Sequence, residues 1–109
     1  MTVQQLATEL SLIPVTLPNS EREVEGVYIG DLLSWVMGRA QSDNAWITIM
    51  SNLNIVAVAT LADVSCIILA EGVIPDEQVK ETAVSKEINI LSSDKTAYEI
   101  ASLMSGLGL

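Results

Sequence analysis

The amino-acid sequence predicts an α/β fold, a small, mainly parallel sheet with helices on both faces. Three observations carry that expectation. Short apolar, β-branched runs recur at residues 24–29, 45–50, 66–69 and 88–91. A helical stretch follows each run, giving the order β-α-β-α-β-α-β-α from Val24 onward. Such alternation with short connections implies parallel strands joined by right-handed crossovers. Half of the residues are apolar and Phe is absent, so the core is aliphatic. Aliphatic runs of this kind suit strands covered on both faces.

Each element has its own local signal. Thr2 is a fitting N-cap for a first helix that carries Val3, Leu6, Ala7 and Leu10 on one face. Residues 11–17 form an extended segment interrupted by Pro14, which suits a sheet edge. Pro18, Asn19 and Ser20 make a turn. Val24, Val27 and Ile29 mark the next strand, over residues 24–29. Gly30-Asp31 then opens a helix to about Arg39, with Asp31 as N-cap. Residues 45–50 form a strand, and Ser51-Asn52 caps a helix reaching Ala62. That helix is apolar nearly all round, which predicts burial between the sheet and a further layer.

Residues 66–69 form a fully apolar strand, and residues 71–75 a loop. Asp76 starts a charged helix to about Lys86. Residues 88–91 form the last strand. Ser92, Ser93 and Asp94 precede a final helix from about Lys95 to Met104, closed by Gly106 and Gly108. The 109 residues fit one domain over the whole chain.

Charge and composition exclude several function classes. The net charge is −9, and the five basic residues are scattered. No basic stripe exists to neutralise phosphates, so nucleic acid is not an expected partner. An anionic membrane surface would repel the chain as well. The longest uncharged stretch, residues 44–62, has Asn52 and Asn54 at its middle. A strand, a turn and a helix explain it better than a membrane span. The first residues carry no basic and apolar leader pattern, so the expected location is cytoplasmic.

Cys66 is the only cysteine and histidine is absent, so no cofactor is expected. One thiol supplies neither a zinc site nor an iron–sulfur cluster. In its apolar run Cys66 reads as a buried, inert thiol. The chain carries no phosphate-binding glycine loop, no nucleophile elbow and no recognisable base, so no catalytic residue is assigned.

Two candidate surfaces remain. In a parallel sheet the loops after the strands share one edge, where ligands bind near a switch in strand order. Here those loops offer Gly30, Asp31, Ser51, Asn52, Ser92 and Ser93 as ligand-binding candidates. Free N–H groups at helix starts would favour a phosphate, although Ser, Asn and Asp also serve simply as caps. Carboxylates at Asp31, Glu71 and Asp94 disfavour an anion and would suit a hard cation, but nothing fixes their spacing and no metal is assigned. The second surface is an interface at Trp35 and Met37, on a helix too apolar for one buried face. Trp and Met are enriched at interfaces, and ordinary core packing is the alternative.

Residues 22–31, Arg-Glu-Val-Glu-Gly-Val-Tyr-Ile-Gly-Asp, resemble the signature region of DRTGG domains. Residues 32–38, 45–49, 54–59 and 90–93 resemble free-standing members of that family. Of the namesake motif, residues 21–26 keep only Arg22 and Gly26. Relatives often carry a His in the loop after the Trp46 strand, where this chain reads Met50-Ser51-Asn52-Leu53. The resemblance implies a fold like the N-terminal domain of HPr kinase/phosphorylase. It also implies a dimerising, regulatory role, as in domains beside paired CBS domains of regulated pyrophosphatases or at the front of phosphotransacetylases. Free-standing relatives are associated with iron-only hydrogenases. The expected function is therefore a non-catalytic regulatory or assembly module, homodimeric, with a redox or hydrogenase partner protein. A small-ligand sensor, with a nucleotide at the strand-end loops, is the alternative.

Overall fold

The computed structural model describes residues 1–109. Its elements are α1 (Val3–Glu9), β1 (Ile13–Thr16), β2 (Val27–Ile29), α2 (Leu33–Arg39) and β3 (Ala45–Thr48). They continue with α3 (Asn54–Ala62), β4 (Cys66–Leu69), α4 (Glu77–Ser85), β5 (Ile90–Ser92) and α5 (Ala97–Gly106). The strands form one five-stranded sheet in the order β1-β5-β4-β3-β2. Strands β2 to β5 are parallel, and β1 runs antiparallel to β5 at the edge.

This topology places the helices. From β2 to β5 each strand lies next to its predecessor, so every crossover steps the same way across the sheet. Crossovers of one hand then put their helices on one face. Accordingly α2, α3 and α4 share an apolar core with Trp46, Ile67, Leu69 and Ile90. The opposite faces of the same strands present Ala45, Ile47, Cys66, Ile68 and Leu91 to α1 and α5. The period-two alternation of strand side chains thus feeds two cores. Strands β3 and β4 are buried along their whole length, which explains their unbroken apolar sequence.

Local chemistry fixes the helix starts. Thr2 and Gln5 form a capping box on α1, and Thr96 and Glu99 form one on α5. Asp76 caps α4 by accepting the Val79 N–H at 3.0 Å. The expected cap at Asp31 is not made. Helix α2 starts later, at Leu33, and its N-cap Leu32 has no side-chain bond. Helix α5 starts at Ala97, later than the expected Lys95, because Thr96 is the capping residue.

Two strands are also displaced. Strand β2 starts at Val27, three residues after the expected Val24. The segment before it is held elsewhere, with the Val24 N–H donating to the Met1 carbonyl and Glu23 bridging Thr2. Val24 itself fills the core beneath α1. Strand β5 covers Ile90–Ser92 because the Ile88 N–H is used on the Ala83 carbonyl, closing α4.

Helix α3 departs from full burial. Ile55, Val56, Val58 and Ala59 face the sheet, while Leu61 is 73% exposed. No further layer covers its outer side. No helix is long and apolar enough to cross a membrane, and the uncharged stretch resolves into β3, a turn and α3.

Candidate functional site

The loops after the parallel strands do meet along one sheet edge. After β2, Asp31 turns toward β3 instead of capping α2. Its Oδ1 accepts the Thr48 hydroxyl at 2.7 Å and the Ile49 N–H at 3.0 Å. The same Thr48 hydroxyl oxygen accepts the Met50 N–H at 3.1 Å. The Gly30 carbonyl accepts the Trp46 indole N–H at 2.9 Å. Asp31 and Gly30 therefore fasten the β2 loop to the end of β3. Asn52 accepts the Asn54 N–H at 2.9 Å, serving the first turn of α3 just ahead of its N-cap position at Leu53. Ser51 lies half-buried between these two groups of contacts.

The switch in helix placement falls between β4 and β5, since α4 and α5 pack on opposite faces. In open α/β sheets such a point is where a crevice forms. Here the two loops are laced together. The Gly72 N–H donates to the Ser93 carbonyl at 2.9 Å and the Glu71 N–H to the Lys95 carbonyl at 2.8 Å. Glu71 and Gly72 both have positive φ, at 57° and 75°, and the Val73 N–H closes the turn on the Ala70 carbonyl. A side chain at Gly72 would start 3.1 Å from Asp94 Oδ1, in a conformation L residues rarely adopt. Ser92 and Ser93 are buried, and the Ser93 hydroxyl oxygen accepts the Lys95 N–H at 3.1 Å. Asp31, Glu71 and Asp94 do not gather into a metal-ligating group.

The helical face is the second candidate. Trp35 and Met37 are 52% and 47% exposed, so they lie outside the core that Trp46 fills. The Arg39 guanidinium sits 3.8 Å over the Trp35 ring, a cation–π contact that covers one face of the indole. Leu32, just before α2, and Leu53, just before α3, are exposed as well. Neither α2 nor α3 contains an acidic residue. Between α3 and α4 lies an open groove of about 380 Å³, lined mainly by Leu53, Val56, Ala57 and Leu61 with Lys86 beside them. Sequence reasoning assigned α3 to the interior and missed this groove. The spacing of Leu53, Ala57 and Leu61 at i, i+4 and i+8 is the signal that marks it.

At the other edge of the sheet Arg22 joins three loops. It bonds Asp43 Oδ1 at 3.0 Å, and the Asp63 carboxylate and carbonyl at 2.9 and 2.7 Å. Ser42 and Arg22 together hold the Asp63 carboxyl below its ordinary range. Burial opposes the Arg22 charge, but the bonds to Asp43 and Asp63 outweigh it and raise its pKa. Ser65 donates to the Glu23 carbonyl nearby, and Gly26, at φ 151°, adopts a conformation that L side chains rarely take, with Asn44 Nδ2 2.8 Å from where a Cβ would lie. Arg22 and Gly26, the two residues kept from the signature motif, are thus structural. Cys66 is fully buried, and burial pushes its thiol up to about 12.

Comparison with known proteins agrees with this architecture. A crystal structure of the CBS and DRTGG domains of the regulatory region of Clostridium perfringens pyrophosphatase, complexed with its activator diadenosine tetraphosphate, is similar in fold. The TM-score is 0.73 and the identity 14%, over 94% of this chain and 45% of that one. This chain therefore spans less than half of that regulatory region. No curated protein matches the sequence. Residues 3–107 match the DRTGG domain family, from the first residue of α1 to the C-cap of α5. With that match covering every strand and helix described above, the chain belongs to the DRTGG domain family.

Proposed function

We propose that this chain is a non-catalytic regulatory or assembly module that acts as a homodimer. It docks on a partner protein of redox or hydrogen metabolism in the cytoplasm, the setting that its resemblance to free-standing relatives implies. The observation that carries the proposal is the acid-free apolar face of α2 and α3. The chain has 14 acidic residues, none of them in these two helices. Trp35, Met37 and Leu32 stand half-exposed there. Exposed apolar patches mark interaction sites. Two copies of a strongly anionic chain meet with least repulsion where neither presents an acid.

The chemistry of these residues supports a role without catalysis. Asp31 is engaged by Thr48 and Ile49, and Cys66 is buried with a thiol that stays protonated. Native mass spectrometry of the gently purified protein tests the dimer, and affinity capture from a hydrogenase-producing cell tests the partner. A dimer that Trp35→Ala or Met37→Ala dissociates is the expected result. A monomer at all concentrations that captures no metabolic partner overturns the proposal.

A second reading is a nucleotide sensor at the strand-end loops, with Gly30, Asp31, Ser51, Asn52, Ser92 and Ser93 around the ligand. The similar regulatory region bound to diadenosine tetraphosphate supports it. It ranks second because the Glu71 and Gly72 N–H groups are already used between the loops. Native mass spectrometry with adenine nucleotides decides it. A stoichiometric mass increment, lost in Asn52→Ala or Ser92→Ala, favours the sensor. Variants that change stability while no nucleotide ever adds leave capping as the whole role of these residues.

A further inference from the structure

The groove between α3 and α4 is polar at one end and apolar at the other. Both helices run from the C-terminal to the N-terminal edge of the parallel strands. Lys86, just past α4, therefore lies level with Leu61 near the end of α3, and Leu53 lies at the far end. Val56 forms the floor, and the small side chain of Ala57 leaves a notch between the two leucines. The trough along α3 is about 12 Å long at 1.5 Å per residue. Its volume of about 380 Å³ falls within the range of small-molecule sites.

Charge sets what the groove accepts. Lys86 is the only charged residue lining it and enters no ion pair. The acid that closes α3, Asp63, is held by Arg22 and Ser42. Thr60 and Thr82 donate their hydroxyl protons to the Val56 and Gln78 carbonyls of their own helices. Lys86 is thus the one side-chain donor, at one end of an apolar trough. A neutral molecule finds only the Thr60 and Thr82 hydroxyl oxygens as acceptors along the walls. An anion with an aliphatic tail satisfies both ends, its head on the Lys86 ammonium and its tail over Ala57 toward Leu53.

We propose that the α3–α4 groove binds a small amphipathic carboxylate of the medium-chain fatty-acid class. The proposal is independent of the strand-end loops, and it requires the dimer to form through Trp35 and Met37 of α2 and to leave the α3–α4 groove open. The test is a titration of the isotope-labelled protein with decanoate, decanol and acetate, followed by NMR below the micelle-forming concentration. Decanoate is expected to shift the amides of Val56, Ala57, Leu61, Thr82 and Lys86 saturably, while acetate does not. Lys86→Gln, or replacing decanoate by decanol, should weaken binding about three- to fivefold, the scale of one exposed ion pair. Ala57→Trp, at an exposed position, should fill the notch and abolish the shifts while the melting curve stays that of the parent. Shifts that fall elsewhere, or equal affinity for decanoate and decanol, overturn the proposal. Groove signals that move with protein concentration and ignore decanoate also overturn it, because a second copy then occupies the groove.

Discussion

Arg22 and Asp63 lie 41 residues apart and are joined twice, through the carboxylate at 2.9 Å and through the backbone carbonyl at 2.7 Å. Asp63 ends α3 in a left-handed conformation, with φ 58°. A carboxylate and a carbonyl that close a helix are held by one guanidinium, which also bonds Asp43. The loop before β2, the loop before β3 and the end of α3 are thereby tied at one point.

Arg22→Ala is expected to destabilise the protein by about 1–2 kcal/mol, given that charge-assisted hydrogen bonds contribute more than neutral ones but part of this cluster is exposed. Arg22→Lys should recover less than half of that loss, because an ammonium lacks the planar fork that reaches Asp43 and Asp63 together. Urea unfolding of the three proteins measures both effects. Equal stability of the Lys variant and the parent would show that charge alone matters.

The same cluster gives the stability a pH dependence. Ser42 and Arg22 lower the folded-state pKa of Asp63 below its ordinary 3.8. A group with a depressed folded pKa binds fewer protons in the folded than in the unfolded state. Its contribution is therefore present above 3.8 and is lost as the pH falls through the lowered value. Glu99, lowered by its bonds from Thr96, acts in the same direction. Unfolding midpoints measured down the acid limb should fall less steeply in Asp63→Asn than in the parent. An unchanged slope would remove Asp63 from the account.

Thr16 closes the antiparallel edge where the register slips between Pro14 and Thr16. Its buried hydroxyl donates to the Ile88 carbonyl at 2.9 Å and accepts the Ile90 N–H at 3.0 Å. Thr16→Val keeps the shape but strands both backbone groups, at an expected cost of about 1–3 kcal/mol. Thr16→Ser should retain most of the stability. Thermal melts of both variants check this, and equal losses would assign the effect to packing.

The two tryptophans should behave as opposites. Trp46 is fully buried with its indole N–H on the Gly30 carbonyl, whereas Trp35 is half-exposed under Arg39. Trp46→Phe should cost about 2–4 kcal/mol from the lost bond and the void left behind. Trp35→Ala should cost no more than about 1 kcal/mol, the scale of one surface cation–π contact. Acrylamide quenching of Trp46→Phe should reveal an accessible Trp35, protected on dilution-reversible self-association. Full protection at every dilution would contradict the exposed position.

Much of the fold was legible because its signals are local. Cys66–Leu69 is apolar throughout and forms a strand with those bounds. Thr2 and Asp76 carry the cap chemistry that starts α1 and α4. What escaped depends on distant partners. Asp31 has the sequence of a cap, but Thr48 and Ile49 offer it better donors across the sheet edge. Val24 alternates like a strand residue, yet its backbone is taken by Met1. The antiparallel place of β1 beside β5 has no local cue beyond Pro14 at an edge. At the candidate sites, the exposure of Trp35 and Met37 accords with a helix too apolar for one buried face. The lacing of Gly72 to Ser93 and the union of Arg22 with Asp63 require three-dimensional knowledge. Helix α3 misled for a related reason, since apolar composition does not say which side meets water.

The antiparallel strand β1 has a consequence for how the molecule is made. It is synthesised before the parallel strands, but its only neighbour in the sheet is β5, the last of them. Helix α1 likewise packs in the core that α5 completes. During translation β1 has no strand to pair with until β5 emerges, and the core under α1 stays incomplete until α5 follows. Contacts of such sequence separation slow folding, since a long loop must close before they form. A nascent chain halted before β5 would keep its first strand unpaired, a substrate for a chaperone and not a half-built domain.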